Sequence, residues 1–236
     1  MRRSGRNPAG IALACGVALV LAVGAASSPA GAVATARTSP VATAGKALLR
    51  LTDMPKGWTS SKSSSGGGGA FPGSSQLARC LGVATSVVTS NPPSATSPDF
   101  NSADGLLTVS DSASVYSSAA SARADYESLA NPKAPSCLTT LMNGTARSQL
   151  VGQLGAGTHL GKVAVTRAPA ADFAPSTANF VMSFPVTSQG TTLKVQLTVT
   201  DYVRGDEEQT LTLTAIGASF PGSLSRHLTA VAASRL

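Results

Sequence analysis

The run Phe180-Val-Met-Ser-Phe-Pro-Val-Thr-Ser-Gln-Gly-Thr-Thr-Leu-Lys-Val-Gln-Leu-Thr-Val199 decides the fold. Large apolar residues fall at every second position, first at Phe180, Met182, Phe184 and Val186, then at Leu193, Val195, Leu197 and Val199. Successive side chains of a strand point to opposite faces, so each half is a strand with one buried face. A two-residue turn at Gln189-Gly190 sets Val186 opposite Leu193 and Phe184 opposite Val195, which places both apolar sets on the same side. Pro185 has no N–H to offer a neighbour, and its position marks an edge or a bulge on the outer side of this hairpin.

Towards the C-terminus, Leu211, Leu213 and Ala215 supply a third strand. A two-residue turn before it would bury threonines. Parity therefore predicts a three-residue turn at Arg204-Gly205-Asp206, with Val199 opposite Leu211 and Leu197 opposite Leu213. Pro221 opens a final helix carrying Leu224, Leu228 and Val231 at core spacing. Towards the N-terminus, Val163 and Val165 mark a strand over residues 161–166, and Leu107, Val109, Ala113 and Val115 mark another. Asp111 interrupts the second. Either a bulge at Ser110-Asp111 turns its carboxylate outward, or the carboxylate points inward into a ligand cleft.

The remaining segments carry helical spacing. Ser74 caps a short helix with Leu77, Cys80, Leu81 and Ala84 on its inward face. A second helix from Ser117 buries Ala119, Ala122, Tyr126 and Leu129 and pairs Arg123 with Glu127 outside. Pro132 and Pro135 end it, and a third carries Cys137, Leu138, Leu141 and Met142 as far as Asn143-Gly144. Residues 47–51 allow one helical turn, stopped by Pro55-Lys56-Gly57 ahead of Trp58, whose ring packs on the core rim. The expected class is α+β, a single curved antiparallel sheet flanked by helices, with one disulfide.

That disulfide follows from export. Arg2, Arg3 and Arg6 precede an apolar stretch from Gly10 to Ala26, and Ala30-Gly31-Ala32-Val33-Ala34 offers two A-x-A sites, the pattern of a secretory signal over residues 1–32. Cleavage is expected after Ala32 or Ala34. The alternatives are an uncleaved anchor, for which the stretch is long enough, and lipidation at Cys15 in a loose lipobox where Ala12 replaces the large aliphatic residue. Residues 33–44, rich in Ala and Thr, form a flexible tether, and residues 45–236 form one domain. Removing the signal leaves Cys80 and Cys137, which are expected to pair in an oxidising compartment. Free thiols are the alternative, and neither cysteine has a second ligand at metal-binding spacing.

Composition excludes several functions. The net charge of +7 falls to +4 when the three signal arginines leave, with no basic run, which argues against a nucleic-acid partner. Aromatic residues are 4% of the chain, too few for the stacking platforms that hold sugars or bases. Of the two histidines, His227 lies at the margin of the last helix stripe. His159 lies in Gly152-x-x-Gly155-x-Gly157-x-x-x-Gly161, where Leu160 replaces the last glycine of a dinucleotide loop. Gly66 to Gly69 lie in a mobile loop from Ser60 to Ser75, and Ala70-Phe71-Pro72 follows them where a phosphate cradle needs Lys-Ser/Thr. No G-x-S-x-G, HExxH or paired carboxylates at useful spacing is present. Arg204-Gly205-Asp206 is explained as a wet hairpin tip, and Asn143-Gly144-Thr145 as a turn with the form of a glycosylation sequon. No catalytic residue, cofactor or metal is expected.

Leu51-Thr-Asp-Met-Pro-Lys-Gly-Trp58, Cys80-Leu81-Gly82, Val115-Tyr116, Ser136-Cys137-Leu138 and the terminal Ala-Ala-Ser-Arg-Leu236 resemble exported actinobacterial cell-envelope proteins. They look most like the extracellular sensor domains of mycobacterial serine/threonine kinases and related lipoproteins. The resemblance spans roughly residues 45–236 and implies an antiparallel sheet flanked by helices, with a cleft for an extracellular ligand. This chain departs from the sensors in having one cysteine pair where they carry two, a secretory signal in place of an internal anchor, and no kinase half. The leading expectation is a secreted, monomeric, non-catalytic cell-envelope domain. It would bind a small or apolar ligand, or a wall component, between sheet and helices, with no integral membrane segment once the signal is removed. A surface protein–protein interaction module is the rival, and a hydrolase with an unrecognised site a third reading. A continuous apolar cavity of ~300 Å³ or more favours the first.

Overall fold

In chain order the described elements are α1 (Pro40–Ala47), a 3-10 turn (Leu51–Asp53), β1 (Thr59–Ser61), α2 (Ser74–Leu81), α3 (Thr85–Val88), β2 (Ser94–Thr96), β3 (Asp99–Asn101) and β4 (Leu107–Val115). There follow α4 (Ala119–Ala130), α5 (Ala134–Asn143), α6 (Arg147–Leu154), β5 (Thr158–Leu160), β6 (Ala164–Arg167), β7 (Ser176–Ser188), β8 (Thr191–Arg204), β9 (Glu207–Ile216) and α7 (Gly222–Arg235). The computed structural model describes residues 39–63, 73–154, 157–169 and 176–236. The expected signal, the start of the tether, the glycine run at 66–69 and Gly155 lie outside them. Among the described residues the strands form one antiparallel sheet ordered β1-β3-β4-β9-β8-β7-β5, with β2 also on β4 and β6 also on β7. The expected α+β architecture is what forms.

The β7–β8 hairpin has the expected register, with Val186 opposite Leu193 and Phe184 opposite Val195. Gln189 and Gly190 both take positive φ, 49° and 77°, the backbone of a two-residue turn whose twist suits the strands it joins. Pro185 faces a break between β5 and β6. Gly161 crosses that break, donating its N–H to Pro185 O at 2.7 Å and passing so close that a Cβ would lie 2.3 Å from the proline ring. Asn143 of α5 clamps the same crossing, its amide donating to Val163 O at 2.7 Å and its carbonyl accepting from Val163 N at 2.9 Å. The Asn143 side chain is thereby occupied within the fold.

The next hairpin differs from expectation. Arg204 pairs with Glu207 across a two-residue turn at Gly205-Asp206, so Val199 faces Thr212 and Leu197 faces Thr214. The threonines are buried, as parity warned, and Thr212 Oγ1 has no hydrogen-bond partner among the described residues, yet the displaced leucines stay buried, because the sheet is covered on both sides. One face carries Phe180, Met182, Phe184, Val195, Leu197 and Ile216 against Leu77 and Leu81 of α2 and Leu138, Leu141 and Met142 of α5. The other carries Phe100, Val109, Tyr202, Leu211 and Leu213 against Leu49, Met54 and the α7 residues Leu228, Ala232 and Ala233. Leu211 and Leu213 serve this second layer. We call the two sides the disulfide face and the terminal face.

Cys80 and Cys137 are bonded, with Cα atoms 5.8 Å apart, and join α2 to α5. Cys137 is buried as expected, whereas Cys80 is exposed on the rim of α2, whose inward face is Leu77, Ala78 and Leu81. The tether also ends early. Ser39 caps a helix at Pro40, and Ala44 and Ala47 pack on Ala113, so residues 40–44 belong to the fold. Among the described residues no helix is long and apolar enough to cross a membrane.

Candidate functional site

Asp111 is fully buried on the terminal face in a continuous ladder, so neither expected reading holds: there is no bulge, and no open cleft receives the carboxylate. Its Oδ2 accepts from Leu49 N at 3.0 Å and from Gln209 Nε2 at 2.7 Å, and the Gln209 amide also donates to Ala47 O at 3.0 Å. Arg235 completes the clip with an ion pair to Asp53 at 2.8 Å and a hydrogen bond to Leu48 O. This polar group fastens the first turns of the domain between β4, β9 and α7. It is structural.

Both histidines are exposed, His159 on β5 and His227 on α7, and neither has a hydrogen-bond partner among the described residues. Among the described residues, therefore, neither histidine is held against a nucleophile. Arg204 and Asp206 lie exposed at the hairpin tip, where Gly205 supplies the positive φ of the turn.

Between helices and sheet, Leu129, Leu138, Met142, Phe180, Met182, Val199, Asp201 and Thr210 surround a space of about 30 Å³. That admits a water molecule but no organic ligand. A groove of about 480 Å³ lies elsewhere, at the end of the sheet where the β3–β4 hairpin tip meets the β7–β8 turn. Leu106, Val186, Leu193 and Ile216 form its floor; Val186 and Ile216 are buried, and Leu106 is 45% exposed. Thr59, Asn101, Ser102, Asp104, Ser188, Gln189 and Thr191 form the rim. Asp104 is the one charged residue among the described residues that line it, and that carboxylate is already engaged by Ser102 Oγ at 2.5 Å and Leu106 N at 3.0 Å, which hold it below the usual range. The side chains of Thr59, Ser188, Gln189 and Thr191 make no hydrogen bond among the described residues. A site with this floor and rim suits an uncharged ligand with an apolar body and one or two polar groups.

A second polar cluster lies under α4 on the disulfide face. Asp201 of β8 and Glu208 of β9 are 3% and 6% exposed, and Asp125 of α4 closes over them. Asp201 Oδ1 accepts from Thr210 Oγ1 at 2.6 Å, and Asp125 Oδ2 accepts from Tyr116 OH at 2.9 Å. Glu208 Oε2 has no hydrogen-bond partner. Burial first, then neighbouring carboxylates, raises Glu208 well above its ordinary value and lifts Asp201 to about 7. Burial also raises Asp125, against the hydrogen bonds from Tyr116 and Glu208, the arrangement of a carboxylic acid donating to a carboxylate. The three do not converge in a geometry that holds a metal ion. Linear spacing hid this cluster. One signal was available, since Asp201 continues the buried parity of Val195, Leu197 and Val199.

No family model matches the chain, and no curated protein is similar to it. Among solved structures, the extracellular domain of PknH from Mycobacterium tuberculosis is similar at 9% identity, over 84% of this chain and 98% of that one, with a TM-score of 0.41.

Proposed function

We propose that this chain is an exported, non-catalytic cell-envelope domain that binds a small, uncharged, largely apolar ligand in the groove at the end of its sheet. The groove carries the reading. Its volume falls in the range of small-molecule sites, its floor is aliphatic, and hydroxyl and amide groups on its rim are free to orient a bound molecule. The cross-link between α2 and α5 supports export, because such bonds persist in oxidising compartments. Exposed, unpartnered histidines support a binding role over hydrolysis.

The test is titration of the mature protein with the neutral fluorophore N-phenyl-1-naphthylamine. Saturable one-to-one binding is expected, weakened at least ~10-fold by Leu106→Glu, since a charge on the floor must be desolvated when an apolar ligand covers it. Leu106 is half-exposed, so the substitution leaves the core intact. Absence of saturable binding, or binding indifferent to Leu106→Glu, overturns the proposal.

A further inference from the structure

We propose that α4 is a proton-gated cover over the disulfide face of the sheet, closed while Asp201 and Glu208 carry protons and loosened when they lose them. Three elements each bring one carboxylate to the same buried place, and the Glu208 Oε2 found there has no partner. A buried charge must be paired or neutralised, and here only protons are at hand.

The surrounding groups bear this out. On α4, Arg123 and Glu127 point outward and pair with each other at 2.8 Å, while Tyr126 packs against the core. On β8 and β9 the other charged groups are Lys194, exposed towards the far end of β8, Arg204, exposed at the tip beside Asp206 of the turn, and Glu207, another acid. β4 contributes Ser110, Ser112 and Ser114 to this face, Tyr116 follows its last residue, and neither β7 nor α3 carries a charged residue in its described span. Lys133, at the start of α5, is exposed. Arg167 of β6 is committed to the carbonyls of Leu129 and Asn131 at the end of α4 and to the ring of Phe180. No lysine or arginine is among the groups that shift the three carboxylates.

Once Asp201 and Glu208 ionise beside Asp125, the like charges repel across the interface between α4 and the sheet, and water is the nearest source of solvation. Opening α4 hydrates them. It also uncovers Leu129, Phe180, Met182 and Val199, which line the small space next to Asp201. The gate is separate from the groove at the sheet's end, so either proposal stands if the other fails.

Hydrogen exchange on the mature, oxidised protein tests it. With Asp201 at 3.8 in the open state and about 7 in the closed one, linkage predicts that the opening constant of α4 rises on the order of a hundredfold from pH 5 to pH 8, after division by intrinsic exchange rates. Amides of α7, on the other face, should keep their protection. In Asp201→Asn/Glu208→Gln the rise for α4 should vanish, and Glu208→Gln alone should reduce it should the double variant fold poorly. The gate is refuted if α4 protection changes less than ~3-fold over that range, if α7 opens in step with α4, or if the variants keep the wild-type pH dependence.

Discussion

Reducing the bond between Cys80 and Cys137 should cost most of the stability a single covalent constraint can supply. The cysteines are 57 residues apart, and the chain-entropy relation gives about 4 kcal/mol for closing a loop of that length in the unfolded ensemble. Replacing the cysteines confounds this figure, because Cys137 is 2% exposed and its sulfur fills part of the core beside Leu138 and Leu141. Reduction by a phosphine keeps the sulfur in place. Urea unfolding of oxidised and reduced wild type therefore isolates the cross-link, and Cys80→Ser/Cys137→Ala adds the packing loss. With an m-value near 2 kcal/mol/M, the midpoint should fall by roughly 2 M on reduction, and m should rise because the freed chain exposes more surface. A loss below ~1 kcal/mol would show that the bond constrains the unfolded chain little. Recovery of two thiols from unfolded mature protein would remove the premise.

Stability should also fall as pH rises. The folded state holds protons on Asp201 up to about 7 and on Glu208 well above the ordinary carboxylate range, so it binds more protons than the unfolded chain above pH ~4. The stabilisation is complete in acid and is lost through pH 4–7, Asp201 alone accounting for up to about 4 kcal/mol. Urea midpoints at pH 4.5 and 8.5 check this: Asp201→Asn should flatten the difference, and a midpoint that rises with pH refutes it. Asp111→Ala strands the buried Leu49 N–H and one N–H of the Gln209 amide, and should cost about 2–4 kcal/mol in urea unfolding while opening Lys46 and Arg50 to trypsin. Gly161→Ala should cost about 1–3 kcal/mol by overlap with Pro185, and Gly161→Ala/Pro185→Ala should recover part of it; no recovery means the proline is not the obstacle.

Local pattern revealed the β7–β8 hairpin, because its alternation, turn residues and parity agree over twenty positions. It also revealed α4, α5 and α7, whose apolar residues recur at helical spacing, and the pairing of Cys80 with Cys137. Placement of single residues around those elements was less legible. Helical spacing put Cys80 on the inward face of α2, but a disulfide needs only proximity to its partner, and a rim position supplies that. The alternation of β4 cast Asp111 as an interruption. In the fold it keeps the buried phase, its Oδ2 accepting from Leu49 and from Gln209, 98 positions away, while its Oδ1 has no hydrogen-bond partner among the described residues. The groove was out of reach for the same reason, since Leu106, Val186 and Ile216 meet only when β4, β9, β8 and β7 lie side by side.

The turn at Gly205-Asp206 shows how one residue of register carries into chemistry. Parity favoured a three-residue turn because burying threonines looked costly beside burying leucines. That choice assumed a single covered face, and a sheet covered on both faces removes it, since Leu211 and Leu213 find Leu228 and Ala232 on the other side. With two turn residues, Thr210 and Thr212 turn towards Asp201 and Val199, and Glu208 joins them on the disulfide face. With three, Glu208 would have pointed to the terminal face, leaving Asp201 without Thr210 and Asp125 without its second acid. The register that disappoints a simple hydrophobic count is thus the one that sets Asp201 and Glu208 beneath Asp125 of α4, and the same hydroxyl-rich patch that weakens the apolar layer gives that layer its response to protons.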